Sequence, residues 1–321
     1  MRCPVCLNPV TEPAFSGSDW LFESTTKSYT LNSCGSCQCL FLDPMPGDEE
    51  IAGFYPSQYW WNSSTSKSSS LKNLESAYRR LALRDHITFI TRAGDYRPGL
   101  DLLDVGCGGG TLLGLLKQRG FRPLGIDFSA EAARVAEMEN GVRVIVGSLG
   151  EARFPSASFD IVTLFHVMEH VTNPRHVLAE VFRILKTNGA VILQVPNIES
   201  WQFKAFGAKW YGLDVPRHVI DYSKKSILKL LNDVGFVTRR IKHFNLRDNA
   251  PALVSSLFPS LDPVSRAVRH RKHGIPESML TAFSRHAAYL SFVICAYPFA
   301  ILESAFGRGA TVMIEARKEN T

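Results

Sequence analysis

The segment Leu102-Leu103-Asp104-Val105-Gly106-Cys107-Gly108-Gly109-Gly110 constrains this chain more than any other. An apolar run ending in glycines, followed by a helical pattern over residues 111–119, predicts a strand, a tight turn and a helix. Glycine lets backbone approach a ligand closely, because no Cβ stands in the way. The alternation then continues. Residues 100–105, 124–127, 142–146, 159–165 and 190–195 read as strands. Residues 129–140, 174–186 and 223–232 read as helices, with Ser129 as an N-cap, Pro174 in a first turn and Asn188-Gly189 as a stop. Continuous apolar strands between helices imply a mostly parallel sheet covered on both faces. Residues 236–244 and 311–316 read as two last strands, and the stretch between them, roughly 247–308, reads as helical.

Two acids sharpen this α/β reading. Asp104 precedes the first glycine, and Asp127 ends the second strand 23 positions later. An acid at the end of that strand is placed to take the hydroxyls of a ribose. An acid ahead of the first glycine would face the pyrophosphate of a dinucleotide, which argues against a nicotinamide enzyme. A cationic, amine-bearing nucleoside suits such a rim better.

With these residues the chain resembles the class I S-adenosylmethionine-dependent methyltransferases over roughly residues 71–317. Asp104 to Gly110 resembles the first motif of that family and Asp127 its ribose-binding acid. Phe159-Asp160-Ile161-Val162 resembles its fourth strand. Arg183-Ile184-Leu185-Lys186-Thr187-Asn188-Gly189 resembles the turn before its fifth, with Thr187 and Asn188 in place of Pro and Gly. The resemblance implies a Rossmann-like, doubly wound, mostly parallel seven-stranded sheet and S-adenosyl-L-methionine as cofactor. It places Gly106, Cys107, Gly108 and Gly110 around the methionine and ribose, Asp127 on the ribose and Phe128 on the adenine face. Ser148 and Leu149 stand where the family often has Asp after the third strand, so the adenine contact departs from the pattern. Cys107 reads as a loop residue without a redox role.

Methyl transfer is an in-line displacement, so alignment is the main task, and a hydroxyl or acidic-carbon acceptor also needs a base. The fourth strand runs into Phe165-His166-Val167-Met168-Glu169-His170, and strand C-termini face the ligand crevice in such sheets. His166, Glu169 and His170 are the catalytic candidates, and Phe165 lines the cofactor. The alternative is that Glu169 and His170 only hold the loop. The Glu169-His170 pair resembles that of ubiquinone-pathway O-methyltransferases, some of which use the region for a divalent cation. His166 replaces their Glu, which argues against a metal there. No Asn- or Asp-Pro-Pro-aromatic sequence follows the strand, which argues against amide or adenine methylation. After the fifth strand, Trp210, Tyr211, Arg217 and His218 are the candidates for acceptor contact, with ordinary loop packing as the alternative.

Residues 1–45 read as a separate small unit, followed by an aromatic and Ser-rich linker over 46–70 and the methyltransferase-like domain over 71–321. Cys3-Pro4-Val5-Cys6 and Cys34-Gly35-Ser36-Cys37 are two CxxC knuckles, and two such pairs predict a structural four-sulfur zinc in a ribbon. A redox pair or an iron–sulfur cluster is the competing reading, and Cys39 competes with Cys37 as a ligand. Residues 20–23 and 29–32 read as the ribbon's strands. Ribbons occur with this core in RNA guanine methyltransferases and in enzymes resembling methyltransferases of sugar and glycan pathways. The Phe54–Trp60 stretch and Pro216-Arg217-His218 look more like the second group, so a small-molecule, sugar or glycan acceptor, methylated on oxygen or carbon, leads. An RNA methyltransferase and a non-catalytic cofactor-binding partner are the alternatives.

Charge gives little direction. The net charge is +6, milder than a dedicated nucleic-acid binder would carry. The basic run 266–273 precedes the apolar run 287–302, and together they suggest either peripheral membrane contact or a core helix or dimer contact. The apolar run is shorter than a bilayer requires and holds Pro298, and the N-terminus lacks an apolar signal region, so a cytoplasmic protein is expected.

Overall fold

The computed structural model describes residues 2–54, 80–93, 97–273 and 278–319. The elements run β1 (Thr11–Ser18), β2 (Ser28–Cys34), β3 (Leu40–Leu42), α1 (Asp48–Gly53), α2 (Arg84–Thr91), β4 (Asp101–Val105), α3 (Thr111–Lys117) and β5 (Arg122–Asp127). They continue through α4 (Ala130–Asn140), β6 (Val144–Val146), β7 (Phe159–Phe165), α5 (Pro174–Ile184), β8 (Leu185–Pro196), α6 (Trp201–Phe206), β9 (Ile220–Asp221) and α7 (Lys224–Val234). The chain ends with β10 (Phe236–Lys242), α8 (Asn249–Leu257), α9 (Pro263–His273), α10 (Met279–Ala305) and β11 (Thr311–Lys318).

The expected seven-stranded sheet forms in the order β10-β11-β8-β7-β4-β5-β6. β4 pairs in parallel with both β5 and β7, and β11 is antiparallel to β8 and β10. The chain leaves β4 toward β5 and β6 and returns on its other side at β7, so the crevice lies beyond the C-terminal ends of β4 and β7. The predicted caps are in place: Ser129 accepts from the amide of Ala132, and Ser223 from that of Ser226. Each such cap stabilises by about 1 kcal/mol.

One boundary differs. The helix expected over 174–186 stops at Ile184, and the Lys186–Gly189 stretch enters β8. Lys186 ties it there, donating to Asp101 at 2.9 Å and Asp160 at 2.8 Å on neighbouring strands. Asn188 takes a left-handed φ of 62°, a conformation Asn tolerates better than most residues.

The ribbon differs more. Among the described residues its strands are β1, β2 and β3, whereas Trp20 to Phe22 form a turn around Asp19, whose carboxylate accepts from the amides of Phe22 (3.1 Å) and Ser24 (2.7 Å). Pro13 and Gly17 masked the strand propensity of β1. The unit is not separate either. β9, from the far end of the chain, extends the sheet in the order β1-β2-β3-β9. Ser223 donates to the Cys37 carbonyl at 3.0 Å, Arg175 to the Val5 carbonyl at 2.9 Å, and Leu31, Phe41 and Leu42 share a continuous core with β7 and β8. A piece of this size needs such support, because it cannot bury enough apolar surface alone.

The expected aromatic and Ser-rich linker lies, beyond Phe54, outside the described residues. The helical stretch before the last strand resolves into α8, α9 and α10, and α10 continues through Pro298 for 27 residues.

Candidate functional site

The loop after β4 has the geometry of a ligand cradle. Gly106 has φ 71°, and a Cβ there would lie 2.7 Å from a methyl of Val167. Gly108 has φ 51° and open space where its Cβ would be. Its amide donates to Asp127 Oδ2 at 2.8 Å, while Asp127 Oδ1 accepts from the Ser129 amide at 2.9 Å. The carboxylate thus fixes the glycine turn and the start of α4 together, and each of its oxygens retains a lone pair for a further donor. Asp104 is buried and accepts from Thr163 Oγ1 at 2.6 Å. Burial, reinforced by the nearby Asp127, raises its carboxyl to about 7, so a cationic ligand would draw it toward the charged form.

Other rim residues stand differently. Gly110 belongs to the packing: a Cβ there would meet Val142 at 2.7 Å and Ala136 at 2.8 Å, so its duty is the close approach of α3 to α4. Cys107 is half-buried and burial pushes its thiol up, consistent with an inert loop residue. Phe128 is 80% exposed beside Asp127. Leu149 is buried, and the Ser148 hydroxyl donates to Glu151 Oε2 at 2.6 Å. Glu151 thereby brings a carboxylate to the position where the family often has Asp. A Ser followed three residues later by Glu is the signal that could have found it.

Beyond β7 the three catalytic candidates separate by charge. His166, with a left-handed φ of 57°, lies between Glu169 Oε1 (3.0 Å from Nδ1) and Asp248 Oδ2 (3.3 Å from Nε2). Burial opposes its charged form, but Asp248 and then Glu169 outweigh that and raise the imidazole to about 9. The two carboxylates thus favour the cation, whereas Gln194 Nε2, 2.8 Å from the same His166 Nε2, can donate only to the neutral ring. In Glu169, burial is outweighed by His166, which holds the carboxyl below its ordinary range. His170 is the opposite case. Burial, with His218 beside it, lowers it to about 4. Its Nδ1 donates to the Arg217 carbonyl at 2.9 Å, so Nε2 carries the lone pair of the neutral ring.

Asp248 and Gln194 are site residues the sequence reading missed. Gln194, on β8, donates to Asp248 at 2.6 Å and accepts from Asn245 at 2.9 Å. A lone polar residue in an otherwise apolar buried strand was the available signal. Asp248 has none, since it opens the helical insertion without a motif. Phe165 sits edge-on to the buried His86, ring centroids 4.6 Å apart.

The acceptor-contact candidates are corrected. Trp210 is fully buried against Phe203. Arg217 is also fully buried. It binds Asp19 at 2.7 and 2.9 Å and Asp214 at 2.6 and 3.0 Å, and lies 4.3 Å over the Phe22 ring. It joins the ribbon to the large domain rather than facing an acceptor. His218 is buried too, its Nδ1 donating to the Gly212 carbonyl at 3.0 Å. Tyr211 is half-buried, its amide held by Ser256. Glu169, His170 and His218 nevertheless place a ligand atom each within 4.8 Å of one another.

In the ribbon, the sulfurs of Cys3, Cys6, Cys34 and Cys37 all lie within 4.8 Å of one another. Cys3–Cys37 is 3.6 Å and Cys6–Cys34 is 3.4 Å. Sulfurs around a tetrahedral zinc stand roughly 3.8 Å apart, given Zn–S bonds of about 2.3 Å, so the donor set fits that ion. Cys39 touches Cys3 at 3.4 Å and Cys37 at 3.5 Å but stands outside this set of four.

A family model described as a methyltransferase domain matches residues 75–240. A ubiquinone biosynthesis O-methyltransferase of Burkholderia pseudomallei (strain 1710b) is 32% identical over 158 residues, 45% of this chain and 68% of that protein. A protein of the same name from Azoarcus sp. (strain BH72) is 35% identical over 134 residues, 39% of this chain and 58% of that protein. A solved structure from Galdieria sulphuraria, described as a sarcosine dimethylglycine methyltransferase, has a TM-score of 0.52 at 14% identity. It covers 84% of this chain and 96% of its own, and shows the shared fold. The sheet order, the glycine cradle and the family match agree: this chain belongs to the class I S-adenosylmethionine-dependent methyltransferases.

Proposed function

We propose that the protein methylates a hydroxyl of a small-molecule, sugar or glycan acceptor, with His170 taking the hydroxyl proton. The observation that carries this reading is the geometry of His170: Nδ1 is committed to the Arg217 carbonyl at 2.9 Å, and the ring, lowered to about 4, is neutral with its lone pair on Nε2. The relatives named as O-methyltransferases support oxygen as the methylated atom. S-adenosylmethionine, when bound, supplies an electrophilic methyl on a sulfonium. Gly106, Gly108 and Asp127 would hold its ribose and methionine part, with Phe128, Ser148 and Leu149 at the adenine. His166 holds Glu169 and Asp248, which favour its cation.

Labelled cofactor incubated with fractionated extract should mark a non-nucleic-acid product. Label confined to RNA would refute the acceptor class. His170→Ala should lower kcat by about a hundredfold, within the range of general-base catalysis, with unchanged affinity for S-adenosylhomocysteine. An unchanged kcat would remove His170 from the chemistry.

The ribbon is read as a structural zinc site of Cys3, Cys6, Cys34 and Cys37. Because its core is continuous with the large domain, chelation should lower the unfolding temperature of the whole chain rather than melt the ribbon alone. Metal analysis finding no zinc in protein purified without chelator would refute the site.

A further inference from the structure

α10 is apolar on more faces than its fold uses. Tyr289, Val293, Ala296 and Ala300 form the buried stripe that packs on α8, and Glu303 continues it inward to Gln202. A surface helix normally turns polar residues outward opposite such a stripe. Here the outward positions include Phe283, Leu290, Ile294, Ile301 and Leu302, with Phe306 just beyond the helix, and all of them are exposed. No charged side chain interrupts residues 287–302. Leu280–Ala305 is long and apolar enough to cross a membrane, yet only 28% of its most apolar window is buried. Of the readings the sequence leaves open, a core helix accounts for the stripe from Tyr289 to Ala300 and not for the exposed apolar positions.

The flank of this face is basic. Residues 263–286 carry Arg266, Arg269, Arg271, Lys272 and Arg285 against the acid Glu277. Arg266 is buried, Arg269 is half-buried and donates to the Pro259 carbonyl at 2.8 Å, and Arg285 is exposed. The end of α8 is fixed against α10, Ser255 meeting the Tyr289 hydroxyl at 3.2 Å and Phe258 stacking on Phe292 at 4.7 Å, and Asp262, accepting from Ser255 and from the Ser265 amide, starts α9 there. The basic run 266–273 thus leaves, in sequence, from the α8–α9 connection that packs beside the middle of α10, an apolar ridge about 40 Å long at 1.5 Å per residue.

We propose that this ridge docks on an anionic bilayer, lying in the interface plane. A spanning arrangement is incompatible with the buried stripe and with α10 being tied to the domain at Tyr289, through Ser255, and at Glu303, through Gln202. A second copy on the same face would bring only the acid-free stretch 278–302, which offers the basic flank no counter-charge. Anionic headgroups complement it instead. The C-terminal end of the ridge meets the segment after β8, Phe306 lying 5.4 Å from Trp201, and the same insertion supplies Asp248 to His166. The docked enzyme would therefore meet acceptors presented at the membrane.

The test is flotation of the full chain with phosphatidylcholine vesicles, with and without phosphatidylglycerol, at low and high salt. Flotation is expected with the anionic vesicles at low salt, reduced by high salt. The double variant Phe283→Asp, Ile294→Asp changes only exposed side chains. It should weaken vesicle partitioning by about tenfold or more, with unchanged circular dichroism and S-adenosylhomocysteine affinity. Absence of flotation at low salt, or equal flotation of the variant, would overturn the proposal. So would a dimer in sedimentation that the variant abolishes while neither protein floats.

Discussion

The loop that follows β4 and the loop that follows α6 are both rich in glycine and polar side chains, yet one leaves them open and the other buries them. After β4, Gly108 faces open space, Asp127 keeps accepting capacity and Phe128 stands in solvent. After α6, Trp210, Asp214, Arg217 and His218 are all buried. The difference lies in what covers each loop. Nothing among the described residues lies within 4 Å of the Cβ position of Gly108, whereas Asp19 and Phe22 from the N-terminal unit, and Phe54 after it, meet Arg217. The rule that strand ends face the crevice gives a loop's neighbourhood. Whether its side chains face that crevice depends on a partner far away in the chain.

This contrast predicts that substitutions in the two loops fail in different assays. The largest effect belongs to Arg217→Ala. It leaves the Asp19 and Asp214 carboxylates buried without their cation, and breaking a buried ion pair from one side costs about 3–5 kcal/mol. Urea unfolding should show that loss, and at a temperature where the variant stays folded its affinity for S-adenosylhomocysteine should match the parent. A stable variant with lost turnover would return Arg217 to the acceptor site.

Asp127→Ala should do the reverse. Two charge-assisted bonds to a ribose, less the compensation by water, are worth roughly 3 kcal/mol, about a hundredfold in affinity. Stability should fall by only about 1 kcal/mol, because the lost partners are the Gly108 and Ser129 amides at a loop and a helix start. Calorimetric titration with S-adenosylhomocysteine measures the first number and urea unfolding the second. Equal affinity in the variant would refute the ribose assignment.

The same contrast explains what could be read in the sequence. The parallel sheet was legible from the repeated apolar runs, and the open turn that Asp127 ties to Gly108 from its glycines and acid, because those features are local: a strand, a turn and a cap within a few residues. Arg217 was misread because its partner Asp19 stands 198 positions away, and nothing in either local sequence announces the pairing. The strand over Thr11–Ser18 was missed because Pro13 and Gly17 contradict it locally, and its cross-strand pairing with β2 overrides them. Asp248 was invisible for the same reason as Asp19: its meaning comes from His166, on another element.

The smallest effect tests the border between the two regions, where the histidines sit. His166 is raised to about 9 from an unfolded value near 6.5, so its contribution to stability is complete below about pH 6.5 and is lost as pH rises through about 9. His170 is lowered to about 4, so its contribution is present above about pH 6.5 and is lost as pH falls toward 4. The alkaline term is on the order of 1–2 kcal/mol after allowing for the 23% exposure of the His166 side chain. His166→Asn isolates it, because Asn tolerates the left-handed backbone at that position but carries no proton that titrates there. Urea unfolding across pH should show the parent losing stability more steeply than the variant between about pH 7 and 10, with the two acid limbs parallel. Identical alkaline slopes would mean that His166 is neutral in the folded protein. The proton-accepting role would then have to be divided again between His166 and His170.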